Sequence, residues 1–283
     1  MPSHQSPGVE AARKAIAARL REARLDAGLK GHELAARCGW HKSKVSRIET
    51  ARTPPTDSDV RTWCEECGVR DQAADIIAAS RTADSMYLEW KRLQRTGLRR
   101  LQQSRIPLYQ RTRLVRGYAS HVVPGLFQTP AYASALLSAI SRFHGTPDDT
   151  HEAVAARMAR SGVLHEAGHR FTLLLEESVL RYQIGDTETM AGQLDHLLMV
   201  MSLPAVSLGV IPLTAREREM WTLEAFNIFD DNRVHVELLS AQVTLTAPSE
   251  VSLYVRAFTE LRKLAVYGAE ARELVSAARE TVC

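Results

Sequence analysis

Residues 28–52, GLKGHELAARCGWHKSKVSRIETAR, constrain the fold more than any other stretch of this 283-residue chain. Apolar residues recur at helical spacing on both sides of Gly39, and glycine can adopt the positive φ that a sharp turn needs. Leu34 marks the inner face of a short helix over about residues 31–38, and Val45 marks the inner face of the next one. The stretch therefore predicts two short helices joined by a tight turn.

A longer helix precedes this pair. Apolar residues follow a helical period from about Lys14 to Ala27, and Gly28 ends the run. This pattern predicts that Ile16, Leu20 and Ala27 lie on its buried face.

Hydrogen-bond donors crowd the outer side of the second short helix. Lys and Arg donate to guanine acceptors in the major groove of DNA, and Ser is a less selective partner. The pattern predicts a helix that contacts DNA, and hence a gene regulator, although a solvated basic face on a helical hairpin is the simpler alternative. The residues left on the outer faces are His41, Lys42, Ser43, Lys44, Ser46 and Arg47.

The run ELAARCGWHKSKVSRIE resembles helix-turn-helix domains of the Cro and phage-repressor type, also called the xenobiotic-response-element (XRE) type. The resemblance implies base contacts from Lys42, Ser43 and Arg47. Phosphate contacts are expected from side chains beside them and from the amides that open the first short helix. The predicted phosphate-binding residues are Lys30, His32, His41, Lys44, Ser46 and Arg52.

Two positions depart from the pattern of that family. Gly31 stands where a polar clamp such as Gln is usual, which removes a side-chain contact to phosphate. Thr50-Ala51 stands where Asn-Gly often ends the third helix, which puts the usual left-handed cap in doubt.

Charge is distributed unevenly along the chain. The net charge of +3 divides into +2 for residues 1–80, +8 for 81–117 and −7 for 118–283. Such asymmetry is expected when one part of a protein approaches phosphates. No apolar run reaches the roughly 20 residues of a membrane span, and no secretory core opens the chain, so the sequence predicts a cytoplasmic protein that does not bind membranes.

The length suggests two domains. We predict a disordered segment over residues 1–9, a helix-turn-helix domain over 10–82, a basic helical connector over 83–117 and an α+β domain over 118–283. Two interpretations of the basic charges from Lys91 to Arg116 stay open. They either add phosphate contacts, or belong to a solvated helix that connects the two domains or pairs with the acidic remainder of the chain.

Helical and strand periodicities predict a mostly α protein whose second domain is α+β, with a small, partly antiparallel sheet covered by helices. The same patterns predict a long basic helix over about 84–103 that Pro107 ends or redirects, and they favour a strand least for the second half of 108–120. The predicted helices cover about 58–67, 70–81, 130–143, 150–160, 187–203, 249–266 and 270–278, and the predicted strands about 171–175, 207–211, 224–229, 234–239 and 242–246.

Cysteines and histidines offer two metal-like patterns. Cys64 and Cys67 form a C-x-x-C pair, but their spacing from Val60 places both thiols on the apolar face of a helix, so we expect them to be structural. Residues 165–169, containing His165, Glu166 and His169, spell the H-E-x-x-H of zinc hydrolases. Gly168 and the strand that follows favour a polar turn there, with zinc-dependent hydrolysis as the alternative function.

The second domain resembles the C-terminal domain of WhiJ-like, antitoxin-like transcriptional regulators of actinobacteria. The runs that carry the likeness are VVPGLFQTPAYASALL at 122–137, FTLLLEESVLRYQIGD at 171–186 and QLDHLL at 193–198. The resemblance implies a promoter-binding regulator whose second domain answers to a small protein, often encoded alongside. It carries no catalytic residues to this chain.

The PGLFQT run has two interpretations. It either makes a turn, packs Leu126 and Phe127 and caps the next helix through Gln128-Thr129, or it borders a small-molecule pocket walled by Tyr118, Tyr132 and Phe127. Carboxylates at Glu176 and Glu177 could serve a polar site, although stabilising the start of a helix is the commoner role.

Three classes of function remain: a DNA-binding regulator gated by a partner protein or ligand, a metal-dependent hydrolase, and a scaffold that does not bind DNA. The sequence favours the first, a non-enzyme without cofactor or metal. One recognition helix covers only a few base pairs, so double-stranded DNA is expected to bind a homodimer, formed mainly by the second domain.

Overall fold

The structure is a computed structural model that describes residues 7–82, 87–89, 94 and 97–282. The chain forms two compact units. The first comprises Met1–Tyr87 with Thr244–Ser252, and the second comprises Leu88–Val243 with Leu253–Cys283. No helix of the described residues is long and apolar enough to cross a membrane.

The first unit is helical. A single 3₁₀ turn, Arg70–Gln72, precedes its fifth helix. Helix α4 begins with a capping box in which Thr56 and Asp59 satisfy each other's backbone amides, both at 3.1 Å. The helices are α1 (Pro7–Asp26), α2 (Gly31–Arg37), α3 (Lys42–Glu49), α4 (Asp57–Glu66) and α5 (Ala73–Thr82).

The core of this unit follows the predicted periodicity with one correction. Ile16, Leu20, Leu34, Val45 and Ile48 are buried as predicted. The prediction for the last residue of the first helical run, Ala27, is wrong, because that residue is exposed. Since α1 ends at Asp26 and the next glycine adopts a φ of 70°, the chain reverses there and buries Leu29 instead.

A mixed sheet forms the centre of the second unit. In the described residues it has seven strands in the order β1-β7-β6-β5-β2-β3-β4. Strands β2, β3 and β4 are parallel, whereas β2 with β5, and β5 with β6, are antiparallel. The strands are β1 (Tyr87–Glu89), β2 (Leu114–Ala119), β3 (Arg170–Glu176), β4 (Val206–Ile211), β5 (Phe226–Phe229), β6 (Arg233–Glu237) and β7 (Ala241–Leu245).

Helices cover this sheet, and the predicted class, mostly α with a helical head and an α+β second domain, is confirmed. The turn between β5 and β6 is a hairpin as predicted, with positive φ at Asp230 (47°) and Asp231 (55°). The helices are α6 (Arg99–Arg111), α7 (Pro130–His144), α8 (Thr150–Ser161), α9 (Glu177–Arg181), α10 (Thr187–Val200), α11 (Pro248–Leu264) and α12 (Gly268–Thr281).

The basic segment is where the sequence prediction of secondary structure was wrong. The predicted helix over 84–103 does not form as one element, because strand β1 lies within this range and the helix begins only at Arg99. Gly97 takes a φ of 97° just before it. The carboxylate of Asp149 then accepts hydrogen bonds from the amides of Leu98 (2.7 Å) and Arg99 (2.9 Å), which fixes the start of the helix. Pro107 lies inside α6 and does not end it. Residues 84–86, 90–93 and 95–96 lie outside the described part.

Strand β2 is the second correction. The second half of 108–120, for which a strand was least favoured, forms β2 between β3 and β5. The described part of 83–117 is therefore no uniform helical connector. Two of its arginines form ion pairs within the second unit: Arg105 pairs with Glu237 at 2.8 Å, and Arg116 pairs with Asp231. Arg99 and Arg100 are exposed.

Candidate nucleic-acid interface

Helix α3 separates an apolar face from a polar face. Val45 and Ile48 are each only 1% exposed. On the opposite side, Lys42, Ser46 and Arg47 are exposed and Ser43 is half-buried. Spacings of one, four and five residues place these four on neighbouring parts of the helix surface. We call Lys42, Ser43, Ser46 and Arg47 the recognition face, and it points outward as the sequence predicted.

The start of α3 is fixed by His41. Its Nδ1 accepts a hydrogen bond from the backbone amide of Ser43 at 3.3 Å and lies 2.8 Å from the Ser43 hydroxyl. An Nδ1 that accepts leaves the proton of a neutral ring on Nε2, where it can donate to an incoming phosphate. His41 therefore combines a capping role with an exposed donor at the edge of the recognition face.

Lys44 has partners within the domain. Its ammonium bonds to the carboxylate of Asp59 at 2.5 Å and lies 4.3 Å from the ring centroid of Trp40. These contacts join α3 to α4 and to the turn before α3. Lys44 therefore has an internal carboxylate as a charge partner, and its predicted phosphate contact stays a prediction.

The predicted anion site at the start of α2 has an acceptor from the same helix. The amide of Lys30 donates to the side chain of Glu33 at 2.7 Å, and this hydrogen bond lowers the pKa of Glu33 below its usual range. An acidic group thus occupies one of the donors that phosphate would need. The side chains of Lys30 and His32 remain exposed.

The end of α3 has the geometry of a Schellman motif. The amide of Arg52 donates to the carbonyl of Arg47 at 2.9 Å, and that of Ala51 donates to the carbonyl of Ile48 at 3.0 Å. Ala51 adopts a φ of 56°, so the left-handed cap forms although the usual glycine is missing. This turn presents the exposed side chain of Arg52 beside the recognition face.

A largely buried ion pair holds α3 against α1. Arg24 on α1 donates through Nε and Nη2 to the two carboxylate oxygens of Glu49, at 2.6 and 3.1 Å, and through Nη1 to the carbonyl of Leu29 at 2.6 Å. The pair ties α1 to the last residue of α3. The sequence analysis did not assign it, although Arg24 lies one helical turn after the buried Leu20, which is a signal for an inward-facing residue.

The cysteine pair lies in the helical core as predicted. Cys64 and Cys67 are both buried, and burial raises the pKa of each thiol, to about 11 for Cys67. Neutral thiols among apolar neighbours are weak metal ligands and weak nucleophiles. No group of three His, Cys, Asp or Glu side chains among the described residues is placed to hold a metal ion.

The H-E-x-x-H residues lie in a 3₁₀ turn and the bend that follows it, in agreement with the predicted polar turn. His169 is held through Nδ1, 2.7 Å from the carbonyl of Thr112, and its Nε2 lies 3.8 Å from Glu166. A zinc peptidase needs its two histidines one turn apart on a helix. His165 does not meet that requirement, so the hydrolase alternative loses its structural basis.

The PGLFQT run packs as the structural interpretation predicted. Leu126 and Phe127 are buried, and the Thr129 hydroxyl caps α7 by accepting from the amide of Tyr132 at 3.2 Å. Gln128 does not cap this helix, because its amide group donates to the carbonyl of Val123 at 2.6 Å.

The pocket interpretation of the same run is correct for two of its three predicted walls. Tyr118 and Phe127 border a cavity in the second unit. Tyr132 does not border it, since its ring is fully buried and its hydroxyl accepts from the amide of Val123.

The two carboxylates at the end of β3, Glu176 and Glu177, hold the loop that follows β4. Glu176 accepts from the Tyr118 hydroxyl at 2.8 Å and from both terminal nitrogens of Arg218, at 2.6 and 3.1 Å. Glu177 accepts from Arg181 and from the amide of Leu213. Glu176 makes no capping hydrogen bond to α9, but Glu177 lies in its first turn, where a carboxylate favours the helix as expected. Both carboxylates anchor the loop in addition.

Comparison with known families finds one match in each part of the chain. Residues 15–75, from α1 into α5, match a family described as a helix-turn-helix domain, which supports a DNA-binding regulator. Residues 107–277 match a family described as a domain of unknown function, DUF5753. No curated protein and no solved structure matches the chain. Since the longer match spans more than half of the 283 residues, the chain belongs to the DUF5753 family and carries a helix-turn-helix domain before that region.

Proposed function

We propose that this protein is a sequence-specific transcriptional regulator of the XRE type, with the recognition face of α3 in the major groove of double-stranded DNA. The single observation that carries the proposal is the outward presentation of Lys42, Ser43 and Arg47 on a helix anchored through Val45 and Ile48. Flexible cations on a rigid helix suit the acceptor pattern of guanine edges. A scaffold that does not bind DNA has no comparable use for this arrangement.

Base and phosphate contacts divide along the same surface. Lys42 and Arg47 supply donors to base edges, and the Ser43 hydroxyl adds a less selective contact. The exposed residues around them set position and register on the phosphates. We assign that second role to Lys30, His32, His41, Ser46 and Arg52, whereas Lys44 acts by holding α3 against α4.

A homodimer completes the binding unit in this proposal. One recognition helix spans too few base pairs for useful affinity, so two heads on half-sites one helical turn apart are expected, joined mainly through the second unit. Sedimentation of the full chain with a duplex carrying its operator should give two chains per duplex. A single chain per duplex at saturating protein would contradict this part of the proposal.

The second unit receives the signal in this proposal. The resemblance to WhiJ-like, antitoxin-like regulators favours a small protein encoded alongside as the partner, and the cavity of the second unit favours a small-molecule ligand. Either signal would reach the regulator in the cytoplasm, and that location stays a prediction from the sequence.

Replacement of Arg47 tests the DNA-binding proposal. The operator is first found by genome-wide capture of bound DNA, and affinities of the full chain are then measured on that duplex and on a scrambled one at the same salt concentration. Arg47→Ala should cost about 1–3 kcal/mol on the operator, which is roughly 5- to 150-fold, and much less on scrambled DNA.

The matched control is Arg61→Ala, which removes an exposed arginine from α4. It should change both affinities little. Equal losses on the two duplexes for Arg47→Ala would make Arg47 a phosphate contact, and no loss on either would remove the recognition face from the interface.

A further inference from the structure

The second unit contains a cavity of about 330 Å³. Its lining includes the seven consecutive residues 122–128, which overlap the PGLFQT run at 124–129, together with residues of α6, α8, β2 and β3. Small-molecule sites begin at about this size, and an engineered apolar cavity of about 150 Å³ already binds benzene. There is thus room for an apolar body of about two rings. Its apolar walls include Val115, Ala119, Leu126, Leu136, Phe171 and Leu173.

Three arginines line the same cavity: Arg105, Arg157 and Arg160. Arg157 and Arg160 lie one turn apart on α8 and are only 7% and 3% exposed. Their hydrogen-bond partners are neutral. Gln102 accepts from Nε of Arg157 and from Nη1 of Arg160, both at 3.2 Å, and Gln128 accepts from Nη1 of Arg157.

These guanidinium groups lack a full set of partners. Nε of Arg160 and Nε of Arg105 are buried without a hydrogen-bond partner among the described residues. The carboxylate that lines the cavity, Glu237, is bonded to Arg105 at 2.8 Å. One carboxylate against three guanidinium groups leaves a surplus of positive charge at the cavity wall.

This surplus of positive charge is energetically unfavourable. Burial, followed by the neighbouring charges of Arg160 and Arg105, lowers the pKa of Arg157, and burial lowers the pKa of Arg160 as well. Guanidinium groups nevertheless stay protonated in proteins, so the repulsion and the lost hydration remain as a cost. An anion that entered the cavity would relieve both.

The geometry holds the two inner arginines in place. Gln102 bridges them, and the guanidinium of Arg160 lies 5.2 Å from the ring centroid of Tyr109. Gly125 closes the other side, because a Cβ there would meet Nη2 of Arg160 at 2.8 Å. The cations are therefore pre-organised between α6, α8 and the PGLFQT run, and no rearrangement is needed to present them.

We propose that this cavity binds a small organic acid, with its carboxylate or phosphate head held by Arg157 and Arg160 and its apolar body against the hydrophobic walls. Guanidinium groups match the planar, two-oxygen geometry of such heads. The inference rests on the proposed function and deepens it, because it names the chemical class of ligand that the second unit detects.

Calorimetry on the full chain tests the proposal with pairs of probes that differ in charge. The acids are benzoate, 2-naphthoate and 2-naphthyl phosphate, and their neutral counterparts are benzamide, 2-naphthamide and 2-naphthol. At least one acid should bind about tenfold or more tightly than its neutral counterpart, since charged hydrogen bonds in a buried site are strong. If no acid exceeds its counterpart, the proposal is overturned.

Arg160→Met gives the second readout, and Arg142→Met on the exposed surface of α7 is the matched control for loss of one positive charge. Arg160→Met should abolish the preference for the acid, while leaving the melting temperature of the ligand-free protein unchanged or higher, because an uncompensated buried charge is gone. A variant that melts lower and still prefers the acid would make Arg160 structural and overturn the assignment. Arg160→Gln replaces it should the methionine variant not fold.

These measurements are independent of DNA. A full chain that binds an acid but binds no DNA would refute the proposed regulator and leave the cavity assignment intact. A full chain that binds DNA but shows no preference for the acids would refute the cavity assignment alone.

Discussion

Ala51 is the position where a single substitution is expected to stabilise the helix-turn-helix unit. It occupies the left-handed residue of the Schellman motif that ends α3, with a φ of 56°. The two hydrogen bonds of the motif, at 2.9 and 3.0 Å, require that conformation. Glycine adopts it without a steric penalty, so Ala51→Gly keeps the motif and removes the strain.

The magnitude follows from two opposing contributions. A left-handed alanine costs about 1–2 kcal/mol because its Cβ approaches the carbonyl oxygen. Relief of this strain is opposed by about 0.4–1 kcal/mol, because glycine gives the unfolded chain more conformations, which are lost on folding. The net gain for Ala51→Gly is therefore about 0.5–1 kcal/mol in the free energy of unfolding of this unit.

Hydrogen exchange on the full chain measures this gain within the helical unit, which a melting curve of a two-unit protein does not isolate. Amides of α3 and α4 should exchange about two- to fivefold more slowly in Ala51→Gly. Ala18→Gly is the matched control, because it makes the same change at an exposed position inside α1. There glycine should cost about 1 kcal/mol and speed exchange. If the two variants changed exchange in the same direction, the left-handed strain at Ala51 would be refuted.

Three further predictions concern the same unit. Gly31→Gln should strengthen binding to operator and scrambled DNA alike, because the added amide can contact phosphate and a Cβ there lies 3.7 Å from Val45, an ordinary contact; unchanged affinity would show that the clamp is not needed. Arg24→Met should cost about 3 kcal/mol in hydrogen-exchange stability by leaving the largely buried carboxylate of Glu49 without its cation, and the double variant with Glu49→Leu should recover part of that loss. For Asp59, burial raises the pKa of the carboxyl, but hydrogen bonds from Lys44 and the Thr56 amide outweigh it and hold that pKa below its usual range. A lowered folded-state pKa means that this stabilisation is complete above about pH 4 and is lost as pH falls through the folded value; Asp59→Asn should remove that pH dependence of exchange in α4.

The recognition face was predictable because local rules decide it. Val45 and Ile48 are the inward residues of a short amphipathic helix, so their spacing fixes which side chains face outward. Partners from distant parts of the chain were not predictable in this way. Lys44 looks like any other outer cation until the capping box of α4 places Asp59 beside it.

Strand β2 shows why tertiary context defeated the pattern in the basic segment. Its residues LVRGYA include Gly117, which disfavours a strand when judged by local propensity alone. The structure pairs the strand on both sides, in parallel with β3 and antiparallel with β5. Such pairing joins segments more than fifty residues apart, and its energy is invisible to a local window.

The arginines of the cavity are an intermediate case, because the sequence contained a usable signal. Ala153, Ala156, Arg157 and Arg160 stand at i, i+3, i+4 and i+7 of α8, the spacing of a buried stripe. Two arginines on such a stripe conflict with the binary pattern of a helix, and natural proteins accept conflicts of this kind mainly at functional sites. The sequence did not show that the hydrogen-bond partners of these two arginines are neutral glutamines. Had α6 carried two acidic residues opposite these arginines, where it now has Gln102, Arg157 and Arg160 would form a closed ion-pair network. Removal of one arginine would then destabilise the protein. Because the partners are neutral, the acid that completes the charge balance is expected to come from outside the chain, and the sign of the stability change in Arg160→Met distinguishes the two cases.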